Sequence, residues 1–120
     1  MRNRRPWFAV LSALALLGGL LLGACGGGSD TVVIDVRTAA EFDEAHLRGA
    51  INLDLLSGEF ARALPGLDPD GEFVIYCRTG LRSFDAAMLM EAAGFTDVTD
   101  AGSLVEAAEL TGLPVVGAHQ

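Results

Sequence analysis

Cys77 ends the apolar run Phe73, Val74, Ile75 and Tyr76, and the next six residues are Arg78, Thr79, Gly80, Leu81, Arg82 and Ser83. This pattern suits an activated thiol. The thiolate is the reactive form of cysteine, and it is favoured where the N–H groups of a helix start and nearby cations stabilise negative charge. Residues 78–83 contain no proline, so every backbone N–H is available, and Gly80 permits the tight curvature that turns several of them inward. The expected product is an anion cradle with sulfur at its base. Arg82 sits at the mouth of such a cradle as the expected contact for an anionic substrate, while Arg78 is either a second cation or a solvated surface charge. The plain alternative is a buried, inert cysteine at a strand end, which leaves the two arginines and the glycine unexplained.

The elements that would position this loop alternate between short β-branched runs and amphipathic helical stretches, the pattern of an α/β fold with a central, mostly parallel sheet flanked by helices. Strands are predicted over 31–36, 49–53, 73–76 and 97–99. Helices are predicted over 39–47, where Thr38 and Glu41 form a capping-box pattern, over 55–64, ended by Pro65 and Gly66, over 83–93, stopped by Gly94, and over 104–110. Residues 113–116 complete the fold. Ligands of an open α/β sheet gather at the carboxyl ends of its strands, where Cys77 falls, and Asp35 ends the first strand on the same side. Asp35 is expected to accept bonds from loop amides and Arg37 to pair with Glu41, both as supports for the site.

Composition divides the chain. Apolar residues make up 51% of it and are concentrated near the start. Arg2, Arg4 and Arg5 precede a run from 7 to 22 that is apolar and glycine apart from Ser12, with small residues at Gly23 and Ala24, the three-part layout of an export signal. Leu22, Gly23, Ala24 and Cys25 resemble the bacterial lipobox, which implies cleavage after residue 24 and acylation of Cys25. The expected organisation is a lipoprotein signal over 1–24, a glycine and serine tether over 25–30, one domain over 31–116 and a tail over 117–120. A tether this short holds the domain roughly 10–15 Å from its anchor, on the extracytoplasmic side of a bacterial membrane. The domain carries five arginines against sixteen Asp and Glu, a formal charge of −11. Nucleic acid is therefore not expected as a partner. With no lysine there is no Schiff-base chemistry, and the two histidines, His46 and His119, have no metal-ligand spacing to any cysteine, so neither metal nor cofactor is expected.

The chain resembles the rhodanese family of sulfurtransferases over nearly the whole domain. The resemblance rests on three blocks in order: Asp35, Val36 and Arg37 with Glu41, Phe42, His46 and 49–52; then 74–83; then Gly94 and Phe95 with Asp100, Ala101 and Gly102. It implies a rhodanese-like fold in which Cys77 takes the outer sulfur of thiosulfate or a similar small sulfur anion as a persulfide and passes it to cyanide or a thiol. The backbone of Arg78, Thr79, Gly80, Leu81, Arg82 and Ser83 would hold the substrate and persulfide, with Asp35 and Arg37 in support and His46 structural. The short lead-in, and Asp100, Ala101, Gly102, Ser103 and Leu104 where many members carry two glycines and a following tryptophan, are similar to the short, exported phage-shock type.

Three rival readings compete with sulfur transfer. A cysteine phosphatase or arsenate reductase of cradle type has five residues between cysteine and arginine, whereas four separate Cys77 from Arg82. A thiol-disulfide oxidoreductase needs a second thiol, and acylation would remove Cys25 from that role. A persulfide carrier that hands sulfur to a partner without turnover is the non-enzymatic alternative.

Overall fold

The computed structural model describes residues 30–117. The leader over 1–24, Cys25 with the tether through 29, and tail residues 118–120 lie outside the described residues. Four parallel strands form the central sheet in the order β3-β1-β4-β5, where β1 is Val32–Asp35, β3 Ile51–Asn52, β4 Glu72–Cys77 and β5 Asp97–Ser103. A second, two-stranded antiparallel sheet pairs β2 (His46–Leu47) with β6 (Val115–Val116). The helices are α1 (Ala39–Glu44), α2 (Glu59–Ala63), α3 (Leu81–Ala92) and α4 (Leu104–Thr111), with a 3-10 turn at Leu64–Gly66.

Successive side chains of a strand face opposite sides of the sheet, and β4 uses both. Phe73, Ile75 and Cys77 enter one core with Phe60, Ala86 and Met90, so α2 and α3 cover that face. Val74 and Tyr76 enter the other with Val33, Leu47 and Ala107. After β1 the chain moves to one side of the sheet, and after β4 it moves to the other. The loops therefore part between these two strands, and a crevice opens at their carboxyl ends. Asp35 and Cys77 are the last residues of the two strands.

Several boundaries differ from those expected. The helix predicted over 39–47 stops at Glu44, because His46 and Leu47 pair with β6 and the buried Leu47 amide donates to the Tyr76 hydroxyl at 3.0 Å. Gly117 passes so close to α1 that a Cβ there would overlap the Glu44 carbonyl oxygen. The helix predicted over 55–64 is reduced to α2 and the 3-10 turn. Asp54 accepts the Leu56 amide in a local turn, and Gly58 at φ +86° breaks the helical path ahead of Glu59. β5 runs through Ser103 rather than ending at Thr99, since it follows β4 past a register shift at Ile75 and Cys77. The capping boxes of α1 and α4 form as Thr38 with Glu41 and Ser103 with Glu106.

Candidate active site

The helix after Cys77 begins at Leu81, two residues before the predicted start, so Arg82 and Ser83 occupy its first turn. Gly80 precedes it at φ +98°, in the left-handed region that glycine tolerates best, and a Cβ there would lie 3.6 Å from Gly102 Cα. This turn folds the loop back over the sulfur. Cys77 Sγ is buried and accepts the Gly80 amide at 3.0 Å, with the Ser83 hydroxyl 3.5 Å away. Ser83 Oγ donates to the Gly80 carbonyl at 3.1 Å while Cys77 is a thiol, and its one hydroxyl proton turns to Sγ when the sulfur ionises. Burial pushes the thiol's pKa up, but the Ser83 hydroxyl and the amides of Ser83, Gly80 and Thr79 more than offset it, and the net direction is down from 9.0. The thiolate is thus held by hydrogen bonds rather than by a neighbouring imidazole.

Ser83→Ala removes the side chain that does most to lower this titration. Its thiolate absorbance is expected to develop at higher pH than in the wild type; an unchanged midpoint would assign the effect to the amides alone.

The charged residues around the loop pair differently from expectation. Arg37 does not reach across the helical turn to Glu41. It turns back on Asp35, with Nε donating at 3.0 and 3.1 Å and Nη2 at 2.7 Å to the carboxylate, while its backbone amide donates to Asp35 Oδ1 at 2.9 Å. Nη2 also donates to the Ala45 carbonyl, which fixes the end of α1. Both residues are buried. The guanidinium stacks over the Tyr76 ring at 5.7 Å, which favours a cation further. Burial opposes the Arg37 charge, yet Asp35 more than restores it and the pKa is raised.

Glu41 binds Arg82 instead, Nη1 donating to Oε1 at 2.7 Å and Nη2 to Oε2 at 3.1 Å. This fork-to-fork contact ties α1 to the first turn of α3. The Arg82 guanidinium holds the Glu41 carboxyl down to about 2, against an ordinary 4.5. A depressed carboxylate stabilises the fold above its unfolded pKa and loses that contribution as pH falls through the folded one. Relative to Glu41→Gln, the wild type should gain about 1 kcal/mol at neutral pH. The gain should shrink between pH 4.5 and about 2, as urea unfolding across that range would report.

Arg78 and Thr79 are exposed at the rim. Leu81 is also exposed, and its place in the loop is carried by its backbone. His46 stays clear of the chemistry: its ring stacks on Phe42 at 3.7 Å, and Nδ1 lies 2.7 Å from the Phe42 carbonyl. Tyr76 and Asn52 were not singled out from the sequence. Tyr76 receives the Leu47 amide, and Asn52 Nδ2 donates to the Asp35 and Arg37 carbonyls at 3.1 and 2.9 Å. The position of Asn52 at the end of the short strand β3 was the available signal, but its partners lie 15 and 17 residues away in sequence.

A cleft of about 310 Å3 borders the loop, lined by Arg37, Glu41, Glu44 and Arg78 with Ser103 and Val105 among others. A larger cavity of about 500 Å3 lies at the other end of the strands, against Thr31, Glu72 and Thr99, away from Cys77.

A strand-end cysteine that accepts a loop amide, at the switch point of a parallel sheet, defines an α/β protein with its thiol at the carboxyl ends of the strands. The chain belongs to the rhodanese family, whose Rhodanese-like domain model matches residues 22–102. It is 34% identical over 77 residues to thiosulfate sulfurtransferase PspE of Escherichia coli, a match covering 62% of this chain and 72% of that one. A solved structure described as rhodanese with anions from E. coli aligns with a TM-score of 0.59 at 30% identity, covering 72% of this chain and 98% of that chain. The chain is also 41% identical over 73 residues to the probable adenylyltransferase/sulfurtransferase MoeZ of Mycobacterium tuberculosis, of whose length the match covers only 18%.

Proposed function

We propose that this protein is a thiosulfate sulfurtransferase working through a persulfide on Cys77. The observation that carries the reading is the buried Sγ, 3.0 Å from the Gly80 amide and with its pKa lowered by loop hydrogen bonds. The Cys77 thiolate attacks the outer sulfur of thiosulfate. The sulfur–sulfur bond of the donor breaks, sulfite leaves with the electron pair, and Cys77 holds the transferred sulfur as a persulfide anion. Amides between Arg78 and Ser83 stabilise that anion as oriented N–H dipoles. A nucleophile then attacks the outer sulfur, and the Cys77 thiolate departs with its electrons. With cyanide the product is thiocyanate; with a thiolate it is a new persulfide.

The charge of Arg82 is already met by Glu41, so its role is to hold the loop in shape, and the steering first expected of it passes to the exposed Arg78. The full chain incubated with thiosulfate should gain the mass of one sulfur on the Cys77 peptide and release thiocyanate when cyanide is added. A persulfide without turnover would favour the carrier, and hydrolysis of a phosphate ester would favour the phosphatase.

The leader supports a second part of the reading: export and acylation at Cys25, with the domain tethered to the extracytoplasmic face of the membrane. Full-length protein expressed in bacteria should partition into detergent, and Cys25→Ala should shift it to the aqueous phase; equal partitioning would count against acylation.

A further inference from the structure

Four charged side chains line the cleft beside the loop, two of each sign. Arg37 is committed to Asp35 and Glu41 to Arg82. Arg78 and Glu44 are exposed, and no ion pair engages either one among the described residues. The cleft therefore presents one unneutralised cation and one unneutralised anion. Arg78 directly follows the nucleophile, and Glu44 ends α1.

The cleft wall includes the residue after Cys77 and the residue opposite it in the sheet. Ser103, which lines it, is the register partner of Cys77 across β4 and β5. At about 310 Å3 it sits at the small end of ligand pockets, a size for an amino acid or short peptide. Leu104 and Val105 give it an apolar lip for a short methylene chain.

We propose that this cleft is the acceptor subsite and selects a zwitterionic thiol, a cysteine-like molecule whose carboxylate meets Arg78 and whose ammonium meets Glu44. The inference rests on the sulfurtransferase reading and names the acceptor class for that site. Arg78 alone rewards a carboxylate on the acceptor, whereas an acceptor that also bears an ammonium gains from both walls of the cleft and brings one negative charge fewer toward a domain whose formal charge is −11. The transfer balances without a further reagent: the acceptor thiolate forms a bond to the outer sulfur of the Cys77 persulfide, the Cys77 thiolate leaves with the bonding electrons, and the acceptor departs as a persulfide.

The test compares three small thiols on the full chain loaded with persulfide by sodium polysulfide, at equal thiolate concentration. Cysteine carries both charges, cysteamine only the cation and 3-mercaptopropionate only the anion. Cysteine should discharge the Cys77 persulfide fastest. Glu44→Gln should lower its rate constant about tenfold relative to 3-mercaptopropionate, and Arg78→Gln should lower it similarly relative to cysteamine. Rates within twofold for all three thiols in the wild type, or equal slowing of all three by Glu44→Gln, would overturn the proposal.

A second measurement needs no sulfur chemistry. S-methylcysteine keeps both charges without a free thiol; saturable binding by calorimetry, weakened by Glu44→Gln, supports the subsite, and its absence rejects it. Failure of thiosulfate to load Cys77 would count against the sulfurtransferase reading alone, because polysulfide loading and S-methylcysteine binding still decide the acceptor.

Discussion

Cys77→Ala is expected to eliminate sulfur transfer while leaving a folded protein. Cys77 is the free thiol among the described residues, and no other side chain there can carry sulfane sulfur as a persulfide. Removing a covalent nucleophile leaves only what binding and orientation supply, so a loss on the order of 10³-fold or more follows. Stability should change little by comparison. The sulfur packs among Ile75, Ala86 and Met90, and deleting one buried atom costs about 1 kcal/mol. Cys77→Ser separates size from chemistry: it restores most of the volume and a hydrogen-bonding group, yet its hydroxyl cannot ionise under the same amides. Thiocyanate formation and the mass of the Cys77 peptide measure the chemistry, and thermal unfolding measures the fold. Turnover near the wild-type level in Cys77→Ala would place the reaction elsewhere.

Asp35→Asn is expected to give the largest loss of stability of any single polar substitution near the site. Asp35 is fully buried and receives three bonds from the Arg37 side chain and one from its amide. Neutralising it leaves a guanidinium that is only 6% exposed without its counter-charge. Breaking a buried pair from one side costs about 3–5 kcal/mol, a large part of the 5–15 kcal/mol typical of a domain. Urea unfolding should show the midpoint fall. Adding Arg37→Met should recover part of the loss, because the stranded charge goes with it. A loss below about 1 kcal/mol in Asp35→Asn would mean that water or rearrangement already screens Arg37. Activity should decline as well, since Arg37 also holds the end of α1 through Ala45, and α1 carries Glu41, the partner of Arg82.

The contrast between these two residues separates what is local from what is assembled. Cys77, Gly80 and Ser83 are legible in sequence because the cradle is continuous: strand end, tight turn and helix start follow one another within seven residues, and each step has its own local signal. The capping box of Thr38 and Glu41 was readable for the same reason, with partners three residues apart in a regular geometry. The mostly parallel sheet followed from the alternation of strand and helix patterns.

The pairing of charges was not legible. Arg37 lies four residues before Glu41, a spacing that suits a helix, yet Arg37 stands outside α1 and its nearer partner Asp35 is locked in the adjoining strand. Glu41 is 41 residues from Arg82, and only the packing of α1 beside the first turn of α3 brings them together. Helix ends failed where distant strands intervened, as when β6 drew His46 and Leu47 out of helical geometry.

By itself the sequence determined the strand-end cysteine, the loop that folds over it and the layered α/β architecture, because these depend on hydrogen bonds and periodicities that close within a few residues. Tertiary structure alone decided which cations and carboxylates neutralise each other. It thereby left Arg78 and Glu44 as the open charges of the cleft, since ion pairing depends on distances that no local pattern encodes.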